Sequence, residues 1–232
     1  MLCCCNLPGA ALALTLVLKP AAAVHLGVDI SALSAMPPRQ LRAMAREADA
    51  IWEPYGVALT WVDSNRTALT PASLQDVLRI SRDGPADRLA SRTPAARRLG
   101  SVLFLEGSDT AENTVALSVE ATRQTVEQAR WANGRVADWP ASLREELLGR
   151  ALGRVLAHEI GHYLLVWRAH TPDGLMSAAF RGEILIRPER RAFELSDLLV
   201  PRLRARLAQL SAPGATVAGI RQLRSKNVKP EI

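Results

Sequence analysis

Three of the chain's four histidines fall within the thirteen residues from 158 to 170, in His158-Glu159-Ile160-Gly161-His162 and then His170. On a helix, residues four apart differ by about 40° in azimuth and one turn in height, so the rings of His158 and His162 point the same way and can share one ion. Glu159 lies about 100° round from His158. A carboxylate there stands beside the ion without binding it, where it can hold a water that zinc polarises. Neutral imidazoles leave the ion much of its charge, and three protein ligands leave a fourth position open to water, whose pKa zinc lowers to about 7. Glu159 is then the expected general base, taking the water's proton as it attacks a carbonyl and passing it to the leaving amine.

A second reading stands beside this one. His158 and His162 share the apolar stripe of their helix with Leu147, Ala151 and Val155, so they are also placed as core histidines bonded to backbone carbonyls. A Glu159 buried between them would then be costly without a cation. His25, near the start of the first strand, reads as an ordinary surface or strand residue.

The elements that must position these residues follow from periodicity and turn signals. Val24–Ile30 alternates loosely as a first strand. Leu41, Met44, Ala45, Ala48 and Ile51 repeat with a helical period over Arg39–Trp52, with Pro37-Pro38 leading in and Pro54 and Gly56 closing. Val57, Leu59 and Trp61 alternate as a strand, Leu74–Ile80 reads as a short helix, and Ser81–Gly100 as an exposed loop. Ser101–Leu105 is an apolar run suited to a central strand, and Thr114–Val119 is another strand. Thr122–Asp138 carries no clear pattern. Ser142 and Glu145 form a capping box after Pro140 for the longest helical pattern of the chain, which runs to about Leu165. A last helix covers Pro188–Leu210, with a break near Pro201. Strands followed by a long helix predict a single α+β domain over residues 24–210, with a small mixed sheet packed on helices.

His158–Met176 resembles the metzincin clan of zinc peptidases, in which HExxH precedes a third histidine and a tight turn carrying a methionine. The resemblance implies His158, His162 and His170 as zinc ligands, Glu159 as catalytic base and Met176 as the turn methionine. It also implies that Thr114–Val119 is the edge strand along the cleft, pairing with an extended substrate. Small bacterial exported proteins with HEIGH, a nearby histidine and a Gly-Leu-Met or Gly-Ile-Met turn are similar, and tend to carry a segment like Ile51–Val57. The main clan pattern puts glycine three residues after the second histidine and the third histidine three residues beyond. Leu165 and Arg168 occupy those places here, and His170 comes two residues late. Glu194, with Asp197 beside it, is the alternative third ligand, on a thermolysin-like plan.

The ends of the chain bear on where this chemistry would operate. An apolar run from Leu7 to Leu18 followed by Ala21-Ala22-Ala23 reads as an export signal over residues 1–23, too short for a membrane span. All three cysteines, Cys3, Cys4 and Cys5, lie within it. The expected mature chain thus has no disulfide, cysteine nucleophile or cysteine zinc site. Between Arg202 and Ile232 seven basic residues face one acid, which accounts for the whole formal charge of +6. The remainder is close to neutral and offers nucleic acid no footprint. The basic tail, residues 211–232, reads as a solvated, disordered end that can contact anionic envelope surfaces. The expected activity is a secreted or periplasmic zinc endopeptidase acting on polypeptides. The alternatives are an amidase for cell-wall peptides, or an inactive zinc-binding domain for partner recognition.

Overall fold

The computed structural model describes residues 24–66, 76–82, 98–105, 110–131 and 134–211. The expected export signal, most of the expected 81–100 loop and the basic tail beyond Ser211 lie outside them. Strand β1 (Val24–Asp29) buries Val24, Leu26 and Val28 on alternate positions. Helix α1 (Pro38–Trp52) starts at Pro38, where a missing N–H costs nothing, and turns out through Gly56 at φ 78°. Strand β2 (Val57–Val62) then pairs parallel to β1.

The segment expected as a short helix over Leu74–Ile80 is instead a strand, β3 (Asp76–Arg82). Leu78 and Ile80 are buried on either side of exposed Arg79, a period of two. It pairs parallel with β1 on one side and with β5 (Ala111–Leu117) on the other, so two ladders of backbone bonds outweigh a weak local helical pattern. Strand β4 (Gly100–Phe104) runs antiparallel to β5. The sheet order is β2-β1-β3-β5-β4, which corrects two expectations. The run beginning at Ser101 forms an edge strand, not a central one, and leaves Leu103 50% exposed. The Thr114 strand lies inside the sheet, and Ser118 ends it by accepting a hydrogen bond from the Ala121 N–H of helix α2 (Val119–Gln128). A short hairpin, β6 (Arg130–Trp131) and β7 (Gly134–Arg135), completes the stretch that carried no pattern.

Helix α3 (Ala141–Leu165) opens on Pro140 with no side-chain cap, so Ser142 sits within the first turn and the expected capping box does not form. Every residue from Ala151 to Leu165 is buried, as befits a helix enclosed on all sides. Against α1 the seam is built on glycine. A Cβ at Gly149 would stand 2.4 Å from the Gln40 carbonyl oxygen, and one at Gly153 would stand 2.5 Å from that of Met44. Beside this seam the fully buried Arg154 donates to Glu47 at 2.8 Å and to the Ile184 and Glu189 carbonyls. It thereby ties α1 and α3 to the segment around α4 (Gly182–Ile186). The expected helix over Pro188–Leu210 is shorter: α5 (Val200–Leu210) begins one residue before Pro201, which fits its first turn instead of breaking it. The domain is α+β, and among the described residues no helix is long and apolar enough to cross a membrane.

Candidate metal centre

Helix α3 presents His158 and His162 one turn apart near its C-terminus, each only 7% exposed. The helix ends in a left-handed residue, Val166, at φ 48° and ψ 54°. A β-branched side chain is strained there, and α5 holds the turn in place. Arg202 donates to the Leu165 carbonyl at 2.7 Å and to the Val166 carbonyl at 2.9 Å, with its guanidinium 4.8 Å over the Trp167 ring. The chain then passes Trp167 and His170 and returns through a tight turn in which Met176 is fully buried. This turn is pinned by bonds from Thr171 N–H to the Met176 carbonyl and from Leu175 N–H to the Glu194 carbonyl. A Cβ on Gly161 would stand 2.4 Å from Met176 Sδ, so the helix and the methionine turn meet only because residue 161 has no side chain.

The loop fixes the tautomers of both buried histidines. His158 Nδ1 lies 2.7 Å from the Leu175 carbonyl oxygen and His162 Nδ1 lies 2.5 Å from that of Trp167. A carbonyl only accepts, so each Nδ1 carries the ring proton and each Nε2 presents a lone pair. Those two Nε2 atoms face each other at 3.0 Å. Two acceptors at that distance repel unless a cation stands between them. A shared proton is disfavoured, because burial pushes His158 down to about 4, against the pull of the Leu175 carbonyl, and burial also lowers His162. The exposed His170 completes the group. Its ring stacks on His158 at 5.4 Å and meets His162 edge-on at 5.0 Å. One ligand atom from each of the three lies within 4.8 Å of the others. The residues therefore fit a metal ion. The second reading of these histidines is half realised: they do bond carbonyls, but through Nδ1, which leaves Nε2 directed inward.

Glu159 sits against the edge strand. It is 4% exposed, and burial pushes its carboxyl up to about 8, opposed by the charge of Arg98 and a hydrogen bond from the Val102 N–H. Strand β4 approaches so closely that a Cβ on Gly100 would stand 2.8 Å from Glu159 Oε1 and 2.9 Å from Val155 Cγ1. His158, His162, His170, Glu159 and residues 98–102, at the start of the edge strand, line one cleft of about 840 Å³, with Phe180 edge-on to His158.

No protein-family model matches the chain, and no curated protein matches it in sequence.

The four residues singled out for chemistry are thus brought together. Glu194 is not in the histidine group; it is exposed, and its carbonyl supports the methionine turn. His25 is exposed on β1, away from the cleft. Sequence reasoning missed Arg98, Gly100 and the two carbonyls that orient the rings. Glycine at the start of an apolar strand was the available signal, since such a position marks a close approach of backbone. Nothing in the identities of Trp167 and Leu175 marks their carbonyls.

Proposed function

We propose that the chain is a zinc-dependent peptidase with a metzincin-like plan, in which His158, His162 and His170 hold the metal and Glu159 is the general base. The observation that carries the reading is the pair of Nε2 lone pairs facing each other at 3.0 Å beside a carboxylate buried in the wall of an open cleft. An all-imidazole set without thiolate suits catalytic zinc. When bound, zinc supplies a polarised water and a Lewis acid for the scissile carbonyl. The chain's own residues do the rest. The Glu159 carboxylate takes the proton of the attacking water and returns it to the leaving amine. The charge of Arg98 and the hydrogen bond from the Val102 N–H favour the ionised form of that carboxylate. The outer edge of β4, the last strand of the sheet, offers backbone groups to an extended polypeptide. The methionine turn sets the height of the loop through the Met176–Gly161 contact.

A purely structural site would need a fourth protein ligand, and among the described residues the group contains three. Metal analysis of the purified full chain, with casein and purified wall fragments as parallel substrates, tests the proposal. One zinc per chain and cleavage of casein are expected, with zinc retained and turnover abolished in Glu159→Gln. A chain that refuses zinc, or a Glu159→Gln variant that still cleaves, overturns the reading; cleavage of wall fragments alone makes the chain an amidase. Export is proposed on the Leu7–Leu18 run and Ala21-Ala22-Ala23. N-terminal sequencing of the protein recovered from outside the cytoplasm checks it, and a chain retained whole inside the cell counts against it.

A further inference from the structure

The cleft is unevenly charged. Among the described residues that line it, Arg98 and Arg168 are the permanent cations and Glu159 is the sole carboxylate. Glu159 is buried in the wall, whereas both arginines are exposed. A substrate lying in the cleft therefore meets positive charge at its rim, before any contribution from a divalent ion.

The two arginines sit at opposite ends of the edge strand. Arg98 precedes Gly100 and acts electrostatically on Glu159. Arg168 stands at the far end, with its guanidinium 4.6 Å from the centre of the Phe104 ring and an N–H donated to the Leu105 carbonyl at 3.3 Å. At about 3.3 Å per residue the strand Gly100–Phe104 spans about 13 Å. An extended chain of about four or five residues laid along β4 thus has a cation near each end. Stacking on Phe104 holds Arg168 in place beforehand, so little side-chain freedom remains to be lost on binding.

We infer that the cleft selects extended peptides carrying acidic residues, with Arg98 and Arg168 receiving carboxylates at the two ends of the edge strand. The inference rests on the cleft being a peptide groove, as proposed above. Exposed rim charges act largely through screened, long-range attraction, so the preference weakens with added salt.

The test is binding, kept separate from turnover. Three labelled octapeptides, identical except for Glu, Gln or Lys at two positions four residues apart, are titrated by fluorescence anisotropy. The full chain is used in two forms: wild type treated with a chelator, and Glu159→Gln loaded with zinc. In both, the Glu peptide binds about tenfold more tightly than the Gln peptide and the Lys peptide binds most weakly, as expected for two exposed charge pairs. The advantage fades at high salt. Arg168→Glu weakens the Glu peptide and strengthens the Lys peptide; if that reversal prevents folding, Arg98→Gln, at an exposed position, makes the same test by cutting the tenfold preference to about threefold. Equal affinity for the Glu and Gln peptides, or an advantage that survives loss of both arginines, overturns the inference. Acid-selective binding without cleavage by the zinc-loaded wild type sinks the peptidase reading alone, and cleavage indifferent to peptide charge sinks only the selectivity.

Discussion

Replacing Glu159 with glutamine is expected to stabilise the metal-free protein by an amount that grows with pH. Burial lifts the Glu159 carboxyl from its ordinary 4.5 to about 8, so the folded chain retains a proton that the unfolded chain releases. A raised carboxyl pKa contributes stability in full below 4.5, and that contribution is lost as the pH climbs through about 8. At pH 7 the loss amounts to about 3 kcal/mol, at 1.36 kcal/mol per pH unit. Glutamine keeps the shape, accepts the same Val102 N–H and does not titrate. The difference between variant and wild type should therefore be near zero at pH 4 and reach about 3 kcal/mol at pH 7. His158 shifts in the other direction, down to about 4. Its contribution is present above 6.5 and lost as the pH falls through about 4, and because both proteins share it, it cancels in the comparison. Urea denaturation followed by circular dichroism, with EDTA present and the pH stepped from 4 to 8.5, reads the difference. A gap that stays flat across this range would refute the claim that the carboxylate is buried without a sufficient partner. Added zinc should narrow the gap at pH 7, since a nearby cation favours the charged form.

Gly100→Ala places a methyl group 2.8 Å from Glu159 Oε1. Displacing the carboxylate by about 1 Å should lower turnover about 100-fold while atomic absorption finds the zinc content unchanged, and full activity would contradict the positioning drawn here. His170→Ala should weaken zinc binding by more than the 10- to 100-fold typical of losing a supporting hydrogen bond, while Glu194→Ala leaves it unchanged; competition with a chromogenic chelator measures both, and the opposite order would make Glu194 the ligand.

The histidine-bearing helix was legible because two independent patterns agreed on it: an apolar stripe with helical period and histidines at the four-residue spacing that the same period makes useful. The strands were less legible for a physical reason. Leu78 and Ile80 in β3, or Val102 and Phe104 in β4, fit a short helix or either kind of strand, and the choice is made by partners far away in sequence. Hence β3 read as helical, and the edge and interior positions of β4 and β5 were exchanged. The exit from the histidine-bearing helix was not legible at all: the chain takes a left-handed turn at Val166, a β-branched residue. Arg202 supports that turn from 36 residues away, and no local pattern announces such help.

The histidine rings also fasten the loop that follows their helix. His162 grips the chain at the Trp167 carbonyl and His158 grips it again at the Leu175 carbonyl. The backbone is thus fastened at two points, with His170 suspended between them. The register of the two buried rings is thus set by the Trp167 and Leu175 carbonyls, while the placement of His170 is left to the loop between them.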